Sequence, residues 1–222
     1  MPNELLFGIT ESGVMVNDSH PPITLENKFK MVRESGVYDY FDKTPAKGLV
    51  DEYLRCSEKY DLPILAGGWF YVLGRDEKLL MDNLRTGARL GSLVHNTQIL
   101  MDHADGPLVT DEQVAEIYMK AFETGEETGC RPTFEVHVNM WSEDFCRVEK
   151  VADLVERRGI PFNMTLDHSH VIFKIDNPRE QEVFNIHESI NKGDLVLDPF
   201  QKDHICGKWI HRGFVSHCHA RA

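Results

Sequence analysis

The sequence predicts a parallel α/β fold, either a (β/α)8 barrel or a doubly wound sheet. Three observations predict it. Short apolar runs alternate with amphipathic stretches of helical spacing along the whole chain. No two of those runs are joined by a hairpin turn signal, so successive strands are connected through helices and run parallel. The chain has 222 residues, 41% hydrophobic and 27% charged, enough for one large domain with a sizeable core.

Each unit is legible in order. "ELLFGIT" is a short apolar run, and "TLENKFKMVRESG" has helical spacing that closes on Gly36. "YDYFD" is a second short run, followed by the amphipathic "KGLVDEYLRCSEKYD". "LPILAGGWF" predicts a strand, "DEKLLMDNLRTGARLG" a helix stopped at Gly91, and "SLVHNTQIL" a strand again. In "TDEQVAEIYMKAFETGEETG", Thr110 and Gln113 form a capping-box pattern, and Val114, Ile117, Tyr118, Ala121 and Phe122 mark one helical face. "RPTFEVHV" is the fifth strand.

In "SEDFCRVEKVADLVERRG", Ser142 is the expected N-cap, with acids in the first turn. Phe145, Val148, Val151, Ala152 and Val155 form the apolar stripe. Arg157 and Arg158 suit the negative end of the helix dipole, and Gly159 suits the position after it. "IPFNMTLD" is the sixth strand, "PREQEVFNIHESINKG" a sixth helix, and "FVSHCHARA" the seventh strand. No linker, repeat or low-complexity tract interrupts 1–222, which reads as a single domain. No GxGxxG and no Walker motif occurs, which weighs against nucleotide-binding open sheets. A barrel needs an eighth strand, and seven are counted. "LVLDPF" is the best candidate for a missed one.

Composition excludes several function classes. Lys plus Arg is 24 against 36 for Asp plus Glu, a net charge of −12, so a nucleic-acid partner is not expected. No run approaches the apolar length of a membrane span. "MPNELLFGIT" shows no basic n-region, so no signal peptide is expected. Five widely spaced cysteines without a CxxC pair suit reduced thiols and a cytoplasmic protein.

The chemistry sits at strand ends. In a barrel, side chains two apart at the C-terminal end of a strand point the same way and build the site. "FEVHVN" places Glu135 and His137 on one face. "TLDHSH" ends the sixth strand in Asp167 and adds His168 and His170 in the following turn. "SHCHARA" places His217 and His219 on one face. One Asp-x-x-His alone is an ordinary turn. Three such clusters ending three consecutive strands, neighbours about 4.8 Å apart, make a site. Glu135, Asp167 and His219 could converge on one point, a mixed O/N set suited to Mn2+, Mg2+, Co2+, Fe2+ or Zn2+. Cys218, between the two histidines, reads as a small core residue of the helix layer.

These motifs resemble the fifth, sixth and seventh strand ends of the xylose isomerase-like TIM barrels, specifically over residues 131–222. That superfamily includes sugar isomerases and epimerases, inosose dehydratase-type lyases, abasic-site endonucleases and the large subunits of C-glycoside-cleaving enzymes. The resemblance implies a (β/α)8 barrel that lacks its last β/α unit within these residues. It implies Glu135, Asp167 and His219 as ligands of a divalent metal, with Mn2+ favoured. His219 is preferred over His217 because it lies nearer the strand end. It implies that His170 contacts substrate or a further metal. Ala222 stands where the family often has an Asp, and no eighth-strand Glu follows. A water, a second copy, another chain or a C-terminal segment outside these residues would supply the missing ligand, and any of the last three would complete the sheet.

Such a site would stabilise the enediolate formed when a proton leaves a carbon next to a carbonyl. His137 is either the proton-transfer group or an orienter of Glu135. His170 is the second catalytic candidate. His217, Arg221, Trp69 and Gln98 are substrate-binding candidates, with Glu11 a further wall. The expected activity is that of a metal-dependent sugar isomerase or epimerase. The alternatives are a lyase or dehydratase acting on keto-sugars or keto-glycosides, a non-catalytic polyol-binding barrel and a nuclease, the last opposed by the charge.

Overall fold

A computed structural model describes residues 5–15 and 22–220. Seven strands hydrogen-bond in the order of the chain: β1 (Gly8–Thr10), β2 (Tyr40–Asp42), β3 (Ile64–Tyr71), β4 (Val94–Ile99), β5 (Arg131–Glu135), β6 (Met164–Asp167) and β7 (Val215–His219). The sheet is parallel. Parallel strands need crossovers, and helices α1 (Leu25–Ser35), α2 (Val50–Tyr60), α3 (Glu77–Leu90), α4 (Asp111–Thr128) and α5 (Phe145–Glu156) supply five of them. Four shorter helices lie between β6 and β7: α6 (Ser169–Ile172), α7 (Pro178–Gln181), α8 (Ile186–Lys192) and α9 (Ile205–His211).

The helix ends obey their local chemistry. The Thr24 hydroxyl accepts from Asn27 N–H, and Gly36 closes α1 at φ 62°. Thr110 and Gln113 make both bonds of the capping box, at 2.8 and 3.2 Å. Helix α5 starts later than the sequence suggests. Asp144, not Ser142, caps it by accepting from Cys146 N–H. Ser142 instead lies in the 3-10 turn Trp141–Glu143, because its hydroxyl donates to the Glu135 carbonyl at 2.6 Å.

Two compact units are distinguished. One comprises Met1–Trp69, Met81–His95 and Thr124–Arg131. Its core is an apolar cluster that includes Phe29, Val32, Phe41, Tyr53, Cys56 and Ile64. Phe29 and Phe41 stack with centroids 4.3 Å apart. The other comprises Phe70–Leu80, Asn96–Glu123 and Pro132–Ala222. Tyr118 packs against Phe134 and Phe162 with centroids 5.0 Å away in each case, and Phe145 meets Trp209 edge-on at 5.9 Å. The α5 stripe, Phe145, Val148, Val151, Ala152 and Val155, is buried as its spacing predicts.

Several expectations change here. The strand expected over "RPTFEVHV" ends at Glu135, so His137 lies in the loop beyond it. The single helix expected over "PREQEVFNIHESINKG" is split into α7 and α8, with Phe184 at φ 52° in the turn between them. "LVLDPF" forms no strand, and α9, too short to show a periodic stripe, was not anticipated. Cys218 is exposed rather than packed into a helix layer. Among the described residues no helix is long and apolar enough to cross a membrane.

Candidate metal centre

Every group of the site belongs to the second unit. Glu135 is the last residue of β5 and Asp167 the last of β6, with 1% and 0% of their surface exposed. Register does the aligning: Glu135 pairs with Thr165, and Asp167 pairs with His219 across β6 and β7. Buried carboxylates need donors, and these have them. Glu135 Oε2 accepts from Asn96 Nδ2 at 2.6 Å and from Gln98 Nε2, and Oε1 lies 2.9 Å from His219 Nδ1. Asp167 Oδ1 accepts from the backbone N–H and hydroxyl of Ser169, at 3.0 and 2.6 Å, and Oδ2 lies 3.3 Å from His170 Nε2.

Glu135, Asp167 and His170 each offer one donor atom, all within 4.8 Å of one another. His219 adjoins the group through Glu135. Two carboxylate oxygens and imidazole nitrogen form a donor set suited to a divalent ion. The residues therefore fit the metal the resemblance implies.

Electrostatics agree with an anionic carboxylate. Burial pushes the Glu135 carboxyl up, but the hydrogen bond and charge of His219, the Asn96 bond and the charge of His137 outweigh it and hold it below the usual range. Burial, with the charge of His219, pushes His217 down to about 4, against a weaker opposite pull from Glu135. His217 is therefore neutral at pH 7. Its Nδ1 lies 3.2 Å from the Thr165 hydroxyl, which lies 2.7 Å from the Thr133 hydroxyl.

His137 and His170 face each other, with ring centroids 3.9 Å apart and planes tilted by 45°. His137 Nδ1 donates to the Val138 carbonyl at 2.7 Å, which leaves the basic lone pair of the neutral ring on Nε2. Phe70 meets the His137 ring edge-on at 6.1 Å. Beside the site, His168, Ser169, Ile172, Phe173, His219 and Ala220 line an open cleft of about 400 Å3.

The remaining candidates are placed as follows. Gln98 is a partner of Glu135. Trp69 lies on β3 in the other unit and is 40% exposed. Glu11 also lies in the other unit, held by Lys28, Lys43 and Tyr53 at 3.0, 3.0 and 2.9 Å. Arg221 lies outside the described residues. Asn96 was missed by the sequence reading, although its spacing of two from Gln98 on one strand puts both on one face.

No protein-family model matches the chain, and no curated protein matches it. Solved structures do. A crystal structure of the IOLI protein with a bound zinc atom matches at TM-score 0.56 and 15% identity, over 75% of this chain. An E. coli 3-keto-D-glucoside 4-epimerase, YcjR, in its apo form, matches at TM-score 0.56 and 12% identity, over 99% of this chain and 94% of that one. The fold is that of a TIM barrel. A sugar phosphate isomerase/epimerase from Parabacteroides distasonis matches this barrel at TM-score 0.57 and 12% identity, over 97% of this chain and 86% of that one. The chain spans 64% of the length of the IOLI protein.

Proposed function

We propose that this barrel is a divalent-metal-dependent isomerase or epimerase of sugars or keto-sugars, which moves a proton on a carbon next to a carbonyl. One observation carries the reading: Glu135 and Asp167, at the ends of β5 and β6, and His170, in α6, converge within 4.8 Å in a buried site. Glu135 and Asp167 would hold the ion. His170 from the Asp167 side and His219 from the Glu135 side are the imidazole donors in reach. Mn2+ is the favoured ion. When bound, it would polarise a substrate carbonyl and make the adjacent C–H more acidic.

The chain's own groups do the rest. Asn96 and Gln98 fix the Glu135 carboxylate from one side and His219 from the other, so it meets a ligand already oriented. Ser169 fixes Asp167 in the same way. His137 Nε2 carries the lone pair that takes the proton, and the Val138 carbonyl holds that tautomer. The Thr133–Thr165–His217 chain keeps a neutral imidazole near His219 and adds no competing charge. Ser169 and His219, which contact Asp167 and Glu135, also line the cleft by Phe173, where a sugar ring would enter.

The test is elemental analysis of purified protein followed by assay of ketoses, aldoses and keto-glycosides with and without Mn2+. One equivalent of metal and chelator-sensitive interconversion are expected. A folded protein that takes up no metal would refute the proposal.

We also propose a partner strand. β7 pairs with β6, and among the described residues no strand pairs with its other side, which leaves the backbone groups of that edge open to a strand of a second chain. Light scattering should give a mass above the 25.5 kDa of one chain; a monodisperse monomer would contradict this.

A further inference from the structure

Lys174 is fully buried, yet none of the groups assigned above uses it. Its Nζ donates to Glu143 Oε1 at 2.8 Å and to the Glu180 carbonyl at 3.1 Å, and it sits 4.9 Å over the Phe173 ring. Glu143 is itself 5% exposed, and its other oxygen accepts from Asn139 N–H at 2.6 Å. Burying such a pair costs desolvation that largely offsets its attraction, so stability alone does not account for it.

Geometry does. The two residues end two different loops. Glu143 closes the turn after β5, in which Asn139 adopts φ 62° and the Ser142 hydroxyl accepts from His137 N–H at 3.3 Å. Lys174 follows α6, four residues after His170, and Gln181 pins its carbonyl at 2.7 Å. The ion pair is a tie between the loop that carries His137 and the segment that carries His170.

We propose that Glu143 and Lys174 are positioning residues that set the close, tilted approach of His137 and His170. The tie joins the two loops, and the 3.9 Å ring spacing is its consequence. The inference deepens the proposed function, since it names what holds the proton-transfer imidazole in place. Its primary test does not depend on turnover.

The test uses the metal-free full chain with isotope-labelled histidine, the ring signals being assigned with His137→Gln and His170→Gln. Wild type should show a nuclear Overhauser cross-peak between the two rings. In the double variant Glu143→Gln, Lys174→Met, which leaves no buried charge stranded, the Glu180 carboxylate 3.7 Å from Lys174 Nζ being 39% exposed, that cross-peak should fall at least threefold while the melting temperature stays within a few degrees. A wild-type spectrum without the cross-peak, or full intensity in the folded double variant, overturns the proposal. If the double variant does not fold, Glu143→Gln alone is read in the same way, with a loss of at least twofold expected and an unchanged cross-peak overturning it. In the holoenzyme, kcat should fall about 10²-fold with KM within threefold, the pattern of a misplaced catalytic group. Absence of turnover in wild type would sink the proposed function and leave the ring measurement standing.

Discussion

Asp167→Asn should abolish metal binding while leaving the metal-free fold nearly unchanged, and the structure gives the size of both effects. In the metal-free protein, Glu135 and Asp167 place carboxylate oxygens within 4.8 Å of each other. Two unit charges at that separation repel by about 3 kcal/mol at an effective dielectric of about 20. Asparagine removes that repulsion. It keeps the Oδ1 acceptor for Ser169 N–H and Oγ, but two charge-assisted bonds become neutral ones, a loss of about 1–3 kcal/mol together. The two effects differ by no more than about 2 kcal/mol, so the melting temperature in chelator should move by no more than about 8 °C. Metal at a hundred times its Kd stabilises a binding-competent fold by about 2.7 kcal/mol, which raises the melting temperature by about 5–10 °C for a chain of this length. Calorimetric melts of both proteins, with chelator and with Mn2+, read all four values. A variant that gains the full Mn2+ shift, or that is unfolded in chelator, would refute the reasoning.

His137→Ala should retain metal and lose about 10²–10⁴-fold in kcat, measured by steady-state assay with Mn2+ saturating; near wild-type kcat would reduce His137 to scaffold. His95 is fully buried beside the Thr44 hydroxyl at 3.1 Å, and burial pushes it down to about 3. Because the unfolded chain takes a proton that the folded chain refuses, the His95 contribution is complete above pH 6.5 and is lost as pH falls toward 3. Denaturant melts at pH 7 and 5.5 should show wild type losing about 1 kcal/mol more than His95→Gln. Gly67→Ala should destabilise the fold by about 1–3 kcal/mol, measured by urea titration. The added Cβ would lie 2.7 Å from Thr44 N and 2.8 Å from the Lys43 carbonyl carbon, both backbone atoms that cannot rotate away.

What was legible in the sequence divides by range. The capping box at Thr110 and Gln113 and the stripe of α5 are local patterns, and both formed as read. Glu135, Asp167 and His219 were expected from their places at strand ends, and the register of β5, β6 and β7 brings them to one end of the sheet, but the group within 4.8 Å is Glu135, Asp167 and His170. The failures are tertiary. Ser142 has the chemistry of an N-cap, but the Glu135 carbonyl competes for its hydroxyl and wins, which delays α5 and carries His137 off the strand. Glu143 read as a first-turn acid because its partner, Lys174, is 31 residues away. Helix α9 spans only two turns, too few for its buried Ile205, Cys206 and Trp209 to display a period.

The central claim is that a metal and a histidine base together labilise a C–H next to a sugar carbonyl. Proton NMR of ketoses and keto-glycosides incubated in D2O with the Mn2+-loaded protein tests it most directly, with the ion removed before the spectra are recorded. Loss of the signal from one carbon-bound proton beside the carbonyl is predicted, suppressed by chelator, by Asp167→Asn and by His137→Ala. A fully metallated, folded protein that exchanges no carbon-bound proton in any of these substrates would contradict the account.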